Sequence, residues 1–193
     1  MPLSRRAALM VGSLITAAAA TMSTAASGHA SGRAASRPPG AAARADTIGI
    51  PSQLRVPDGN KRIAVLDAKG VQTYTCTNGA WTLLEPVATL WKRHDRHQRA
   101  VALHTRGPVW ISTRDGSAAN AAAVPGASVP RDHAVPELLL KSTATRGEGL
   151  FGSVSYIQRL RTEGGVAPSN GCTPGSQVGV PYSATYLFYA PAE

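Results

Sequence analysis

Residues 71–84 read VQTYTCTNGAWTLL, and this stretch decides the fold class. From Val71 to Cys76 strand-forming side chains alternate along the chain. Asn78-Gly79 separates that run from a second one, Ala80 to Leu84. Asn and Gly both tolerate positive φ, which a two-residue turn with the right twist requires at both central positions. The stretch therefore predicts a β-hairpin.

Working outward, the same signal recurs. Ile63 and Val65 form a short apolar run before Asp67-Ala68-Lys69-Gly70, which reads as a break. Downstream lie Val87–Trp91, Ala100–Thr105, Val109–Thr113, Leu138–Thr143, Val154–Leu160 and Val180–Tyr189, the last being the longest candidate strand. About eight to nine short runs punctuated by turn residues predict an all-β single domain, a β-sandwich or barrel. No run has the periodicity of an amphipathic helix. Ala118 to Asp132, with Pro125, Gly126 and Pro130, reads as a long loop, although its Ala-rich start, Ala118 to Ala123, leaves a short helix or a weak strand open.

The N-terminus has a different character. Arg5-Arg6 precedes an apolar run and then small residues, so residues 1–30 read as a secretory signal peptide, with a twin-arginine route open. Residues 31–46 are rich in Ala, Gly, Ser and Arg without bulky side chains and read as a disordered linker, leaving 47–193 for the domain. No stretch reads as a transmembrane segment, and the expected location is extracellular. In an oxidising compartment the two cysteines, Cys76 and Cys172, are expected to form a disulfide. Free thiols or metal ligands are the alternative, and a lone pair without further ligands makes a poor zinc site. The formal net charge is +9, and losing Arg5 and Arg6 leaves +9 − 2 = +7. A basic exported protein is drawn to anionic surfaces.

Two stretches carry candidate chemistry. Lys92 to Arg99 (KRHDRHQR) is a basic loop beside Trp91, readable as an anion-binding finger or as a solvated hairpin loop. His94 and His97 lack acidic partners at ligand spacing, so no metal is expected. His104 to Ser117 (HTRGPVWISTRDGS) reads as two strands, a Gly-Pro corner and an Asp-Gly turn. If the strands pair, one face is apolar and the other gathers His104, Arg106, Trp110 and Arg114. A hydrolase would take His104 as base and Asp115 as its orienter, with Ser112, Ser117 or a distant serine as nucleophile; the plainer reading is a partly buried histidine bonded to a loop carbonyl, with Trp110 in the core. No G-x-S-x-G stands in the chain and no G-x-G-x-x-G follows a strand and opens a helix, so neither a presented serine nor a dinucleotide cofactor is indicated.

The order of motifs resembles that of an uncharacterised secreted family, domain of unknown function 3455. The likeness rests on Gln72-Thr73-Tyr74-Thr75-Cys76 with Trp81, on His104-x-x-Gly107-Pro108-x-Trp110 with Asp115-Gly116-Ser117, and on Pro136-x-Leu138-Leu139-Leu140. It continues through Ile157-Gln158-Arg159, Gly164-Gly165, Cys172 and Pro181-Tyr182-Ser183-Ala184-x-Tyr186-x-Phe188-Tyr189. Glu137 stands where the family pattern suggests an aromatic. The resemblance implies a secreted, disulfide-linked protein and brings no activity or cofactor.

These readings lead to a binding role on an envelope polysaccharide or other anionic polymer, through Trp91, Arg106, Trp110 and Arg114. No specific nucleic-acid partner and no cofactor are expected. The alternatives are a secreted hydrolase using His104 and Asp115, or a structural wall-associated protein.

Overall fold

The computed structural model describes residues 49–193. The signal peptide and linker expected over 1–30 and 31–46 lie outside the described residues. Eight antiparallel strands follow one another around a closed barrel: β1 (Asn60–Thr77), β2 (Ala80–Lys92), β3 (Ala100–Thr105), β4 (Val109–Ser112), β5 (Ala118–Arg131), β6 (Ala134–Arg146), β7 (Tyr156–Gly164) and β8 (Gln177–Pro191). Strand β8 pairs back on β1 and closes the ring. The sequence left sandwich and barrel open; the meander order with this closure makes it a barrel.

The opening hairpin forms as its residues require. Thr77 pairs with Ala80, and between them Asn78 and Gly79 take φ of 53° and 80°. Strand β1 is longer than expected, at 18 residues, and exceeds the 15 of β8. Asp67-Ala68-Lys69-Gly70 does not break it, because the inward positions are small. Ala68 faces the core, and a Cβ on Gly70 would collide with the backbone of Val87 and Ala88. Outward, Asp67 accepts a hydrogen bond from the Thr185 hydroxyl at 2.8 Å and pairs with Arg93 at 3.3 Å. What reads as a turn is a point where the β2 backbone lies close against β1 at Gly70.

The stretch Ala118 to Asp132 is strand β5 up to Arg131: the strand option held open for Ala118 to Ala123 is the one taken, and the loop expected beyond it is strand as well. Its register breaks between Ala123 and Ser128, and the excluded residues hold Pro125 and Gly126, the latter at φ 76°. The turn-like composition thus makes a bulge within a strand. The alanines have a packing reason. Ala119 lies opposite Trp110 in the β4–β5 register, and a small residue there leaves room for the indole.

The main core fills the barrel with Leu66, Leu90, Trp110, Phe151, Ile157, Tyr186 and Phe188. A second cluster lies outside it, where Leu54 of a 3-10 turn (Ser52–Leu54) packs with Ala127 of the β5 bulge, Leu139, Leu160 and Leu187. Gln158 Nε2 donates to the Leu54 carbonyl and ties the turn to β7. The expected disulfide is present: Cys76 at the end of β1 joins Cys172 in the β7–β8 connection, with Cα atoms 5.8 Å apart.

Short strands create an opening. Strands β3 and β4 have only six and four residues, joined at Gly107-Pro108. Strand β3 pairs with β2 only from Ala88 onward, so Ala80 to Val87 has β1 as its only ladder partner. Pro86, which has no N–H to donate, sits in that half, where a strand tolerates it.

Candidate ligand-binding site

The two strands of the His104–Ser117 stretch pair, with His104 opposite Trp110. Their orientation is the reverse of the simple amphipathic picture. Leu103, opposite Ile111, faces outward and is 43% exposed, whereas His104 and Trp110 are buried inside the barrel. The rings stack with centroids 4.1 Å apart and planes 6° apart, and Tyr186 meets both edge-on at 5.5 Å.

His104 Nδ1 lies 3.0 Å from the Val109 carbonyl. A carbonyl only accepts, so Nδ1 carries the proton and Nε2 keeps its lone pair. Burial lowers the His104 pKa from 6.5 to about 4; the bond to Val109 opposes this and the charge of Arg159 adds to it. The ring is neutral at pH 7.

A cavity of about 620 Å³ opens beside this stack. It runs from fully buried residues, Gln72, Trp110 and Tyr186, out to Leu83, which is 53% exposed. Its mouth is the gap left by the short strands, bordered by Leu84 and Pro86 of β2, the Gly107-Pro108 corner and Ala121 to Ala123 of β5. An eight-stranded barrel is just wide enough to be filled by side chains or to hold one small ligand. Arg106 stands at the rim, paired with Glu85 at 3.4 Å.

The inner wall carries Arg159, which shares its strand face with Ile157 of the core. Its Nε and Nη2 donate to the Pro136 carbonyl at 3.1 and 2.9 Å. Among the described residues no carboxylate forms an ion pair with it. Gln72, Trp110 and Tyr186 also line the cavity, and Gln72 Nε2, Trp110 Nε1 and the Tyr186 hydroxyl are each buried without a hydrogen-bond partner among the described residues. Burial raises the pKa of Tyr186, and the charge of Arg159 works against the rise. The Tyr182 and Tyr186 hydroxyls act on each other's ionisation, yet no hydrogen bond of acceptable geometry joins them.

The other sequence candidates lie elsewhere. Asp115 is in the β4–β5 turn, at the far end of β4 from the Gly107-Pro108 corner. Its Oδ1 accepts from the backbone N–H and hydroxyl of Ser117, and its Oδ2 from Leu150 N–H at 3.2 Å. The Ser117 hydroxyl foremost holds the Asp115 pKa down at about 2. Ser117 Oγ also accepts from Phe151 N–H at 3.0 Å. Ser112 Oγ accepts from the backbone N–H of Arg114. The structure does not bring these groups to His104, so the hydrolase arrangement is not assembled. The Asp115–Ser117 pair anchors the loop that carries Phe151 instead.

Of the expected face, His104, Arg106 and Trp110 line one cavity, but Arg114 is exposed in the turn. Trp91 lies apart from Trp110. It borders a surface depression of about 510 Å³ with residues of both signs, among them Arg96, Arg161, Asp95 and Glu163. The basic loop is held by its own acid: Asp95 accepts from Arg99 Nε at 2.9 Å and from the His97 N–H at 3.1 Å. Glu137 is buried, accepts from Arg161 N–H at 2.7 Å, and pairs with Arg131.

The residues that sequence reasoning did not single out as a site are Gln72, Arg159 and Tyr186. Parity was their signal. Gln72 falls in the inward series Leu66, Ala68, Tyr74, and Arg159 falls in step with Ile157.

The motif order quoted for the resemblance is thus spread around one barrel, from Gln72 in β1 to Tyr189 in β8. The pattern of a family described as protein of unknown function (DUF3455) matches residues 57–190. The chain belongs to the DUF3455 family. Its matched span takes in all eight strands almost whole and every residue of the cavity wall named above. Among curated proteins and solved structures nothing matches this DUF3455 chain. Among the described residues no helix is long and apolar enough to cross a membrane.

Proposed function

We propose that this protein binds a small molecule with an apolar body in the mouth of its barrel, and that it does so outside the cytosol. The observation that carries the reading is the cavity of about 620 Å³ reaching from the barrel centre to solvent between β2 and β5. Its wall is mostly apolar with a few polar groups, the make-up of small-ligand sites. The disulfide supports an oxidising compartment. Polymer binding along the surface has less support. Trp110 is buried at 1% exposure, and Trp91 borders a different depression. Catalysis by His104 and Asp115 has less support still, because Asp115 and Ser117 are engaged with each other and with the loop that carries Phe151.

The test is titration with 1-anilinonaphthalene-8-sulfonate, whose emission rises in apolar surroundings. One saturable site is expected, with affinity lost in Ala122→Trp, a substitution at the exposed rim of the mouth. Emission that stays flat, or that rises equally in both proteins, would overturn the reading.

A further inference from the structure

We infer that the inner wall of the cavity is an oxyanion subsite, and that the molecule taken up carries a carboxylate or comparable oxyanion on its apolar body. This rests on the proposal that the barrel binds a small molecule.

Among the described residues Arg159 is the only cationic side chain of the inner wall, since His104 is neutral at pH 7 and Arg106 stands at the rim paired with Glu85. The Pro136 carbonyl takes hydrogen bonds from Arg159 but brings no counter-charge. Glu137, next in the chain, is turned to Arg131 and to the Arg161 backbone. A guanidinium in a mostly apolar cavity, with no carboxylate paired to it among the described residues, is a costly arrangement that an entering anion relieves.

The neighbouring groups point the same way. Gln72 Nε2 and Trp110 Nε1 are donors without acceptors, in residues only 2% and 1% exposed. The Tyr186 hydroxyl is a third such group in the same wall: Arg159 and Tyr182 act on its ionisation, but neither makes a hydrogen bond of acceptable geometry with it. Buried polar groups are nearly always paired, so several unpaired ones in residues that line one cavity ask for a ligand with acceptors. An oxyanion supplies them in number and matches the charge of Arg159.

Three matched probes separate charge from shape: 2-naphthoate, 2-naphthylmethanol and 2-naphthylmethylamine, each titrated calorimetrically into the protein. We expect naphthoate to bind at least about tenfold more tightly than the alcohol, as charge-assisted hydrogen bonds imply. The amine should bind worst. Arg159→Met should abolish the preference and leave the alcohol's affinity unchanged. Gln72→Leu should weaken naphthoate while raising the Tm, because it removes a buried donor that is idle without ligand. That combination is one a merely structural glutamine would not give, and it carries the test if Arg159→Met does not fold. Equal binding of naphthoate and alcohol, or a preference that survives both substitutions, would overturn the oxyanion subsite and leave the small-molecule reading standing. Failure of all three probes to bind would overturn both.

Discussion

His104 and Trp110 stack at 4.1 Å across one rung of the β3–β4 hairpin, inside the barrel. Neither ring reaches bulk solvent, and the histidine has only a carbonyl to answer its proton. The pair therefore serves as an uncharged aromatic wall. That assignment has a measurable consequence in acid.

The unfolded chain binds a proton at His104 near pH 6.5, and the folded protein only at about 4. The contribution of a lowered histidine is fully present above pH 6.5 and is lost as pH falls towards 4. Its full size is about 3 kcal/mol, since each tenfold change in proton affinity is worth about 1.4 kcal/mol. Urea unfolding between pH 7.5 and 4 should show this loss, and His104→Gln should remove most of it. Asp95 and Asp115, with pKa values lowered to about 2, act in a separate window, below about pH 4.

Ser117 is fully buried and bridges Asp115 to Phe151 N–H. Ser117→Ala leaves that N–H without its acceptor and should cost about 1–3 kcal/mol. Binding of 1-anilinonaphthalene-8-sulfonate should be unchanged, because Ser117 is not in the cavity wall. A loss of binding with full stability would instead give the serine a functional role.

The disulfide closes a loop across a sequence separation of 96. Chain-entropy arguments put its contribution at about 4–5 kcal/mol as an upper value. Cys76→Ser together with Cys172→Ser should lower the urea midpoint accordingly. The measurement is equilibrium unfolding, with the denaturant slope compared to detect any change in the unfolded chain.

Much of this fold is legible where the cause is local. Asn78-Gly79 announces a hairpin because two adjacent residues must take positive φ, and the cysteine pair announces a bond once export is read. The length of β1 is not legible, because Asp67-Ala68-Lys69-Gly70 is spelled like a turn and becomes a strand only when β2 presses on Gly70. Strand β5 is hidden for a similar reason: its alanines answer to Trp110 across the sheet, and its Pro and Gly sit in a bulge.

The site is legible in part. Pairing of His104 with Trp110 follows from alternation, but alternation does not say which face looks inward. The structure turns Leu103 outward and the His104–Trp110 face inward, with His104 bonded to the Val109 carbonyl. Arg159 is written as one basic residue among many, and its weight comes from the absence of an ion-pair partner among the described residues.

The most direct test of the central claim uses Trp110 as its own reporter. In a Trp81→Phe, Trp91→Phe variant the only tryptophan left is the one stacked on His104 in the cavity wall. Titration with decanoate, an apolar chain bearing a carboxylate and no chromophore, should change Trp110 emission saturably at one equivalent, and Arg159→Met should abolish the change. Emission that stays constant up to the concentration at which decanoate forms micelles would contradict the account.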